Sequence, residues 1–355
     1  MASLDLASIR TIVVTGGAGF IGSHVVDDLL EACPGAQIRV LDSFTYAADM
    51  ANLDRAMRSG RVTLRQGDIG NLELVTDLLR GADLVVNAAG ESHVDRSLLS
   101  PERFSVSNAI GTQVLAEAMA RRRVPLMVHV STAEVYGSSD APLTEMAAMQ
   151  PDNPLGASKA AAEMLLSGLC VVYDLDIRVL RPVNIVGTRQ NAEKLIPRFL
   201  ELAAVGKPLT IHGDGSQRRS FLAVSDFCAG LRAVASRGQR NGVYNISGPE
   251  THSVLEVARM VLESVPDPAA GLVFNNGRPA DYTRAPVVTE AIAGLGWRAE
   301  ASLSGELKAL AGWYRSRLAP LSRTVFRTVP DLAAGHATVT TQPAGSGLFR
   351  SLERH

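Results

Sequence analysis

Along most of the chain, short runs of β-branched residues alternate with longer stretches whose apolar positions fall at helical spacing. Thr11-Ile12-Val13-Val14 is an unbroken run of the kind a strand shows when it is covered on both faces. Glycines follow at once, and then Ile21, Val25 and Leu29 recur at i, i+4 and i+8, with Val26 and Leu30 beside them, which predicts a helix. Pro34-Gly35 stops it. Ile38 to Leu41 reads as the next strand, with Asp42 at its C-terminal end. Strands are then expected at Arg61 to Arg65, Leu84 to Asn87, Leu126 to Val130 and Ile177 to Leu180. Helices are expected at Leu72 to Arg80, Asn108 to Arg121 and Ser158 to Val172. This alternation predicts an α/β fold built on a doubly wound parallel sheet.

From about Lys194 the pattern loses regularity. Pro208 to Ile211 followed by Gly213-Asp214-Gly215 reads as a short strand and turn, and Ser253 to Val265 and Ser304 to Arg317 read as helices. The expected organisation is a sheet domain over 1–190, to which later strands return, and a smaller substrate-binding cap over 191–320. The stretch 321–355, low in periodicity, is expected to be a flexible tail.

Composition narrows the function classes. With 46% hydrophobic and 20% charged residues the chain can bury a substantial core. Lys+Arg 35 against Asp+Glu 36 leaves a net charge of −1, which gives no global attraction to nucleic acid or an anionic membrane. The three cysteines Cys33, Cys170 and Cys228 form no CxxC pair, so neither a disulfide framework nor a Cys-rich metal site is expected. No charged leader with an apolar core and no uninterrupted apolar run of about 18 residues is present, so the expectation is a cytoplasmic protein without a membrane span.

The candidate chemistry starts at Gly16, Gly19 and Gly22, spaced GxxGxxG between a strand and a helix. Such a turn lets backbone approach a pyrophosphate, and the helix behind it presents free N–H groups and a partial positive charge. Asp42 follows about twenty residues later at the end of the second strand, where a carboxylate accepts bonds from the ribose hydroxyls of an adenosine and repels a 2′-phosphate. The expected cofactor is therefore NAD and not NADP, and no metal is called for.

Gly16 to Gly22, read together with Asp42-Ser43-Phe44-Thr45-Tyr46-Ala47, Gly67-Asp68-Ile69, Glu91 to Ser97, Ser131 to Gly137, Glu193 to Arg198 and His212 to Gly215, resembles the extended short-chain dehydrogenase/reductase family, NAD-dependent epimerases and dehydratases. The likeness is greatest to dTDP-glucose 4,6-dehydratases and runs collinearly over residues 10 to 318. It implies a Rossmann sheet, NAD as cofactor, a nucleotide-diphosphate sugar as substrate, and a homodimer that pairs the helices containing Asn108–Arg121 and Ser158–Val172. By the same resemblance Phe20 and Ile21 belong to the cofactor cradle, Asp68 and Ile69 flank the adenine, and Ala88 and Ala89 line the cofactor near the nicotinamide. Thr132 would bond the sugar at its reacting hydroxyl, Glu134 would remove its C5 proton, and Lys159 would hold the nicotinamide ribose and keep a positive charge near the catalytic hydroxyl. Ser92, Asn184, Lys194, Arg219, Asn245 and Arg278 match positions that contact the substrate's nucleotide and diphosphate. His93 is expected to order its loop and Tyr136 to be a packing residue with a tethered hydroxyl.

Two positions depart from the family pattern. Its Tyr-x-x-x-Lys pair is here Leu155 and Lys159, and leucine cannot accept a proton. Its Thr-Asp-Glu triplet is Thr132-Ala133-Glu134, without the acid that serves the departing C6 hydroxyl. Each lost acid–base function is worth roughly 10²–10⁴ in rate. Three readings follow: a dehydratase-like enzyme in which Glu134, Lys159 or a nearby Tyr or His serves as base, an epimerase or redox enzyme on a related sugar nucleotide, and a non-catalytic protein that binds both ligands.

Overall fold

The computed structural model describes residues 5–139, 141–265, 270–277 and 283–318. Among them are twelve strands: β1 (Thr11–Thr15), β2 (Gln37–Asp42), β3 (Val62–Gln66), β4 (Leu84–Asn87), β5 (Leu126–Val130), β6 (Ile177–Pro182), β7 (Asn184–Val186), β8 (Leu209–His212), β9 (Arg218–Ala223), β10 (Val243–Ile246), β11 (Thr251–Ser253) and β12 (Leu272–Asn275). Seven form one sheet in the order β10-β6-β5-β4-β1-β2-β3, and every neighbouring pair is parallel. Within β1, Ile12 and Val14 pack into one hydrophobic layer and Val13 into the other. A strand covered on both faces has no solvent side to make polar, hence the unbroken Ile-Val-Val run.

The strand order turns back at β1, with β2 and β3 on one side and β4, β5 and β6 on the other. That reversal opens a crevice beyond the carboxyl ends of the strands, where sheets of this kind take their ligands. A second, smaller layer lies beside it. It holds a three-stranded sheet β11-β9-β7 and the pair β12-β8. The helices Leu195–Ala204, Val254–Ser264 and Leu303–Leu318 enclose a separate core around Phe199, Ile211, Val257 and Leu307.

Some elements depart from the sequence pattern. The helix expected from Ser158 begins at Pro154, because the Asn153 side chain accepts from Gly156 N at 2.9 Å and proline suits the first helical position. Leu155 therefore lies in its first turn. The helix expected from Asn108 is the last part of a helical stretch that begins at Val94 and passes through a π turn at Ser105–Ile110. In the later chain the helix Val224–Arg237 and the strand β10 belong to the large layer: Phe227, Leu231 and Val234 share a core with Ile12 and Val14, and β10 pairs with β6. The expected tail from residue 321 lies outside the described residues.

The helix Pro154–Tyr173 is long and apolar enough to cross a bilayer by length and composition, with a mean hydropathy of 1.4. Half of that window is buried in the fold, including Lys159 and Glu163, which is the environment of a core helix.

Candidate active site

Gly16 turns the chain out of β1 at φ +68°, and a side chain there would come within 2.7 Å of Ala89 Cα. Only glycine suits both demands. Gly19 caps the helix Phe20–Ala32 and brings no side-chain acceptor to its first-turn N–H groups, so these donors are left for a ligand. Asp42 is 7% exposed. Its Oδ2 accepts from Ala18 N at 2.9 Å and its Oδ1 from Phe44 N at 2.8 Å, which fixes the carboxylate against the glycine turn with a lone pair on each oxygen to spare. Beyond β3, Asp68 is exposed and bonded to Gly70 N, while Ile69 is buried beneath it. An uncapped helix start beside a fixed carboxylate fits the pyrophosphate and ribose of NAD.

The far half of the crevice lies over β4 and β5. Ala88 and Ala89 are half-buried behind Asn87, which is bonded to Thr15, Thr112 and His129 inside the sheet. Thr132 caps a short helical turn, its Oγ1 accepting from Glu134 N at 3.2 Å. Glu134 Oε2 accepts from Asn153 Nδ2 at 2.9 Å and from Arg284 Nη2 at 2.7 Å, and Arg284 also pairs with Asp152. Sequence reasoning did not single out Arg284, Asp152 or Asn153. Asn153-Pro154 carried a helix-start signal that could have found Asn153, but Arg284 arrives from 150 positions away with no local signature.

Leu155 and Lys159 stand one turn apart on one helix face. Lys159 Nζ donates to Val130 O at 2.9 Å, and burial lowers it to about 8 against the opposing pull of Glu163. Behind it runs a buried polar chain. Ser131 bonds Glu163, Glu163 pairs with Arg181 at 2.6 Å, Arg181 donates to Tyr136 OH at 2.7 Å, and Tyr136 OH donates to Asn245 Oδ1 at 2.7 Å. Asn245 thus does not join the other substrate candidates: it is wholly buried, with Oδ1 on Tyr136 and Nδ2 donating to Leu143 O. The strand β10 is the edge of the large sheet and aims this side chain into the core.

Among the remaining substrate candidates, Lys194 Nζ donates to Ser92 O and is lowered to about 8 by burial. Asn184 and Arg219 lie on the neighbouring strands β7 and β9, on one face and two positions apart in register. Arg278 lies outside the described residues. His93 is near Glu193, which Arg96 grips through two bonds while stacking on the Tyr46 ring at 3.7 Å. Two loops and the short helix Val94–Leu99 are thereby joined. A groove of about 770 Å³ between the helix Leu72–Leu78 and the end of the helix Gly111–Arg122 lies apart from these residues; Arg65 and Arg80 there share Asp77 as a solvated charged face. No group of metal-ligating side chains occurs among the described residues.

The model of the NAD dependent epimerase/dehydratase family matches residues 12–247. The chain belongs to this family. Family members of known activity are close in sequence. A dTDP-glucose 4,6-dehydratase of Actinoplanes sp. is 36% identical over 312 residues, covering 86% of this chain and 98% of the relative. A trifunctional UDP-glucose 4,6-dehydratase of Arabidopsis thaliana is 36% identical over 313 residues, and the chain spans 47% of that longer protein. Among solved structures, the dTDP-glucose 4,6-dehydratase DesIV of Streptomyces venezuelae, crystallised with NAD, superposes with a TM-score of 0.83 at 35% identity over 87% of this chain and 98% of its own. The UDP-glucose 4-epimerase of Thermotoga maritima, solved with UDP-glucose, gives 0.81 at 27% identity over 87% and 100%. The family is NAD-dependent, and its dehydratases and epimerases carry the same large parallel sheet.

Proposed function

We propose that this chain is a dehydratase-like enzyme that holds NAD along the glycine turn and a nucleotide-diphosphate sugar between the sheet and the cap. The observation that carries this is the meeting, in one crevice, of an uncapped helix start, the fixed Asp42 carboxylate, Thr132 and Glu134 after β5, and Lys159 on the helix Pro154–Tyr173. NAD supplies a reversible acceptor for the electrons of a sugar alcohol. Asp42 and the first-turn amides anchor its adenosine half, Lys159 and the Ala88–Ala89 backbone border its other half, and Lys194, Asn184 and Arg219 offer donors to the sugar nucleotide. The protein loaded with NAD and mixed with dTDP-glucose or UDP-glucose should develop reduced-nicotinamide absorbance. Saturable binding in calorimetry without any such change would favour the second reading, a binding protein, for which Leu155 and Ala133 speak.

The working form we propose is a cytoplasmic homodimer, with no part for nucleic acid or membrane. The helix Pro154–Tyr173 exposes Met164, Val171 and Val172, and the neighbouring helical stretch exposes Leu98, Val106 and Ile110. An apolar face of this kind matches isologous pairing of two copies. Light scattering should return twice the chain mass at micromolar concentration, and a monomer mass would reject the dimer.

A further inference from the structure

Lys159 is a buried cation without a carboxylate of its own. It is 7% exposed, and among the described residues its single hydrogen bond is to Val130 O at 2.9 Å. The acid on its own helix, Glu163, is committed elsewhere: Arg181 donates to both of its oxygens and Ser131 to one. From β5, His129 faces it and is kept neutral by its own burial and by the lysine charge. From the π turn comes only uncharged Asn108, whose Oδ1 is buried without a hydrogen-bond partner. From the loop after β4 comes Gly90, where a Cβ would stand 3.2 Å from Lys159 Nζ and 2.5 Å from Asn108 Oδ1. A full charge in such a place is disfavoured, and the amine is drawn toward its neutral form.

Other groups near this end of the crevice are already engaged. Tyr136 OH is used by Asn245 and Arg181 and is wholly buried. His129 is inside the sheet and bonded to Asn87. Glu134 has its charge matched by Arg284 and a further bond from Asn153. His93 sits across the loop by Glu193 and Lys194. Leu155, one turn before Lys159, adds apolar cover where a phenol would have offered the ammonium a hydrogen-bond acceptor.

We propose that the neutral amine of Lys159 is the proton acceptor when a hydroxyl of the bound sugar nucleotide is oxidised. The proton of the O–H bond passes to Nζ, its electron pair becomes the second bond of the C=O group, and the hydrogen on the same carbon would leave with the C–H electron pair as hydride to NAD, so the alcohol is oxidised and NAD reduced. Asn108 Oδ1 stands beside Gly90 as the acceptor toward which the protonated amine can turn. The proposal rests on reading the crevice as an NAD and sugar-nucleotide site, and adds to it which atom takes the proton.

Two measurements test it. In protein carrying labelled lysine, the Nζ signal that Lys159→Arg removes should titrate with a midpoint of about 8; a midpoint near the ordinary 10.5 overturns the proposal. In single turnovers with NAD and dTDP-glucose or UDP-glucose, reduced-nicotinamide formation should rise about tenfold per pH unit up to about 8 and then level off. Lys159→Arg, which keeps the charge and cannot become neutral, should bind NAD in calorimetry yet lose roughly 10²–10⁴ in that rate. A rate retained in Lys159→Arg, a rate with no such pH limb, or wild-type protein that binds both ligands and never reduces NAD would each overturn it. Wild-type protein that binds neither ligand would instead overturn the reading of the crevice.

Discussion

The two halves of the crevice are built on the same sheet, yet they relate to the family pattern in opposite ways. At β1 and β2, Gly16, Gly19, Gly22 and Asp42 keep the strand–turn–helix pattern expected of a dinucleotide site, and Asp42 is bonded into the glycine turn. At β5 and the helix Pro154–Tyr173, the chain carries Glu134 and Lys159 together with Leu155 and Ala133, where the resemblance drawn from the sequence expects a phenol and a second acid. The support beneath that second half is nevertheless fully made: Ser131, Glu163, Arg181, Tyr136 and Asn245 form a buried chain with its hydrogen bonds satisfied. Leu155 and Ala133 thus sit over a support whose buried ion pair is intact, a pair that is strongly destabilising to break by removing one partner.

The largest expected effect sharpens this contrast directly. Leu155→Tyr places a second proton acceptor one turn before Lys159; in the Lys159→Arg background it should restore reduced-nicotinamide formation by roughly 10²–10⁴, without releasing water from the sugar. Adding Ala133→Asp should then yield the dehydrated product, seen by mass spectrometry. If Leu155→Tyr instead abolishes an existing rapid turnover, the leucine shapes a different pocket and the comparison with the family breaks at that point.

Next in size is the support itself. Arg181→Met leaves Glu163 buried and unmatched, which should cost about 3–5 kcal/mol. Urea unfolding should show a lower midpoint at unchanged slope, and no loss would mean that the network is not the foundation described above. Lys159 should register in stability as well. Below its folded value of about 8 both states hold the proton, and the folded state carries the whole cost of a buried charge. Between about 8 and the ordinary 10.5 only the unfolded chain holds it, so stability climbs with pH. The climb should amount to roughly 3 kcal/mol over that window, at about 1.4 kcal/mol per unit. Unfolding curves of wild type and Lys159→Met across this range should converge or cross as pH rises, and parallel curves would contradict the unpaired amine.

The smallest effect belongs to the unaltered half. Asp42→Ala removes a charged acceptor and should weaken NAD by about 1.5–3 kcal/mol, at least tenfold, in calorimetry. An unchanged affinity would show that this half, too, has left the family pattern.

What could be read from the chain follows the range of the interactions involved. The strands β1, β4 and β5 announce themselves because burial on both faces leaves nearly continuous apolar runs, and the glycine turn because its geometry restricts which residues fit. The helix Val224–Arg237 and β10 are missing from the sequence expectation: the helix does carry a regular stripe of Val224, Phe227, Leu231 and Val234, whereas β10 is four residues long with Asn245 in its midst and has no local signature. Asn245 matched a substrate position by alignment of motifs, but the direction of its side chain is set by β10 pairing with β6, which no local pattern records. The hold of Arg284 on Glu134 is likewise a meeting of distant segments, joined through the bridge between Leu143 and Val287.

The path of the chain through β10 bears on how the molecule comes to exist. The large sheet has six strands by Pro182, then waits while β7, β8 and β9 are laid down for the other layer, and is completed only at Val243–Ile246. During synthesis β6 is therefore an open, unpaired edge for some sixty residues, the state in which parallel sheets are prone to pair wrongly. A fragment ending after β6 would keep that edge for good and lack the helix that carries Phe227 and Leu231 over the core. A piece cut after β6 would lack the last wall of the cofactor half, which is delivered by sequence lying beyond β7, β8 and β9.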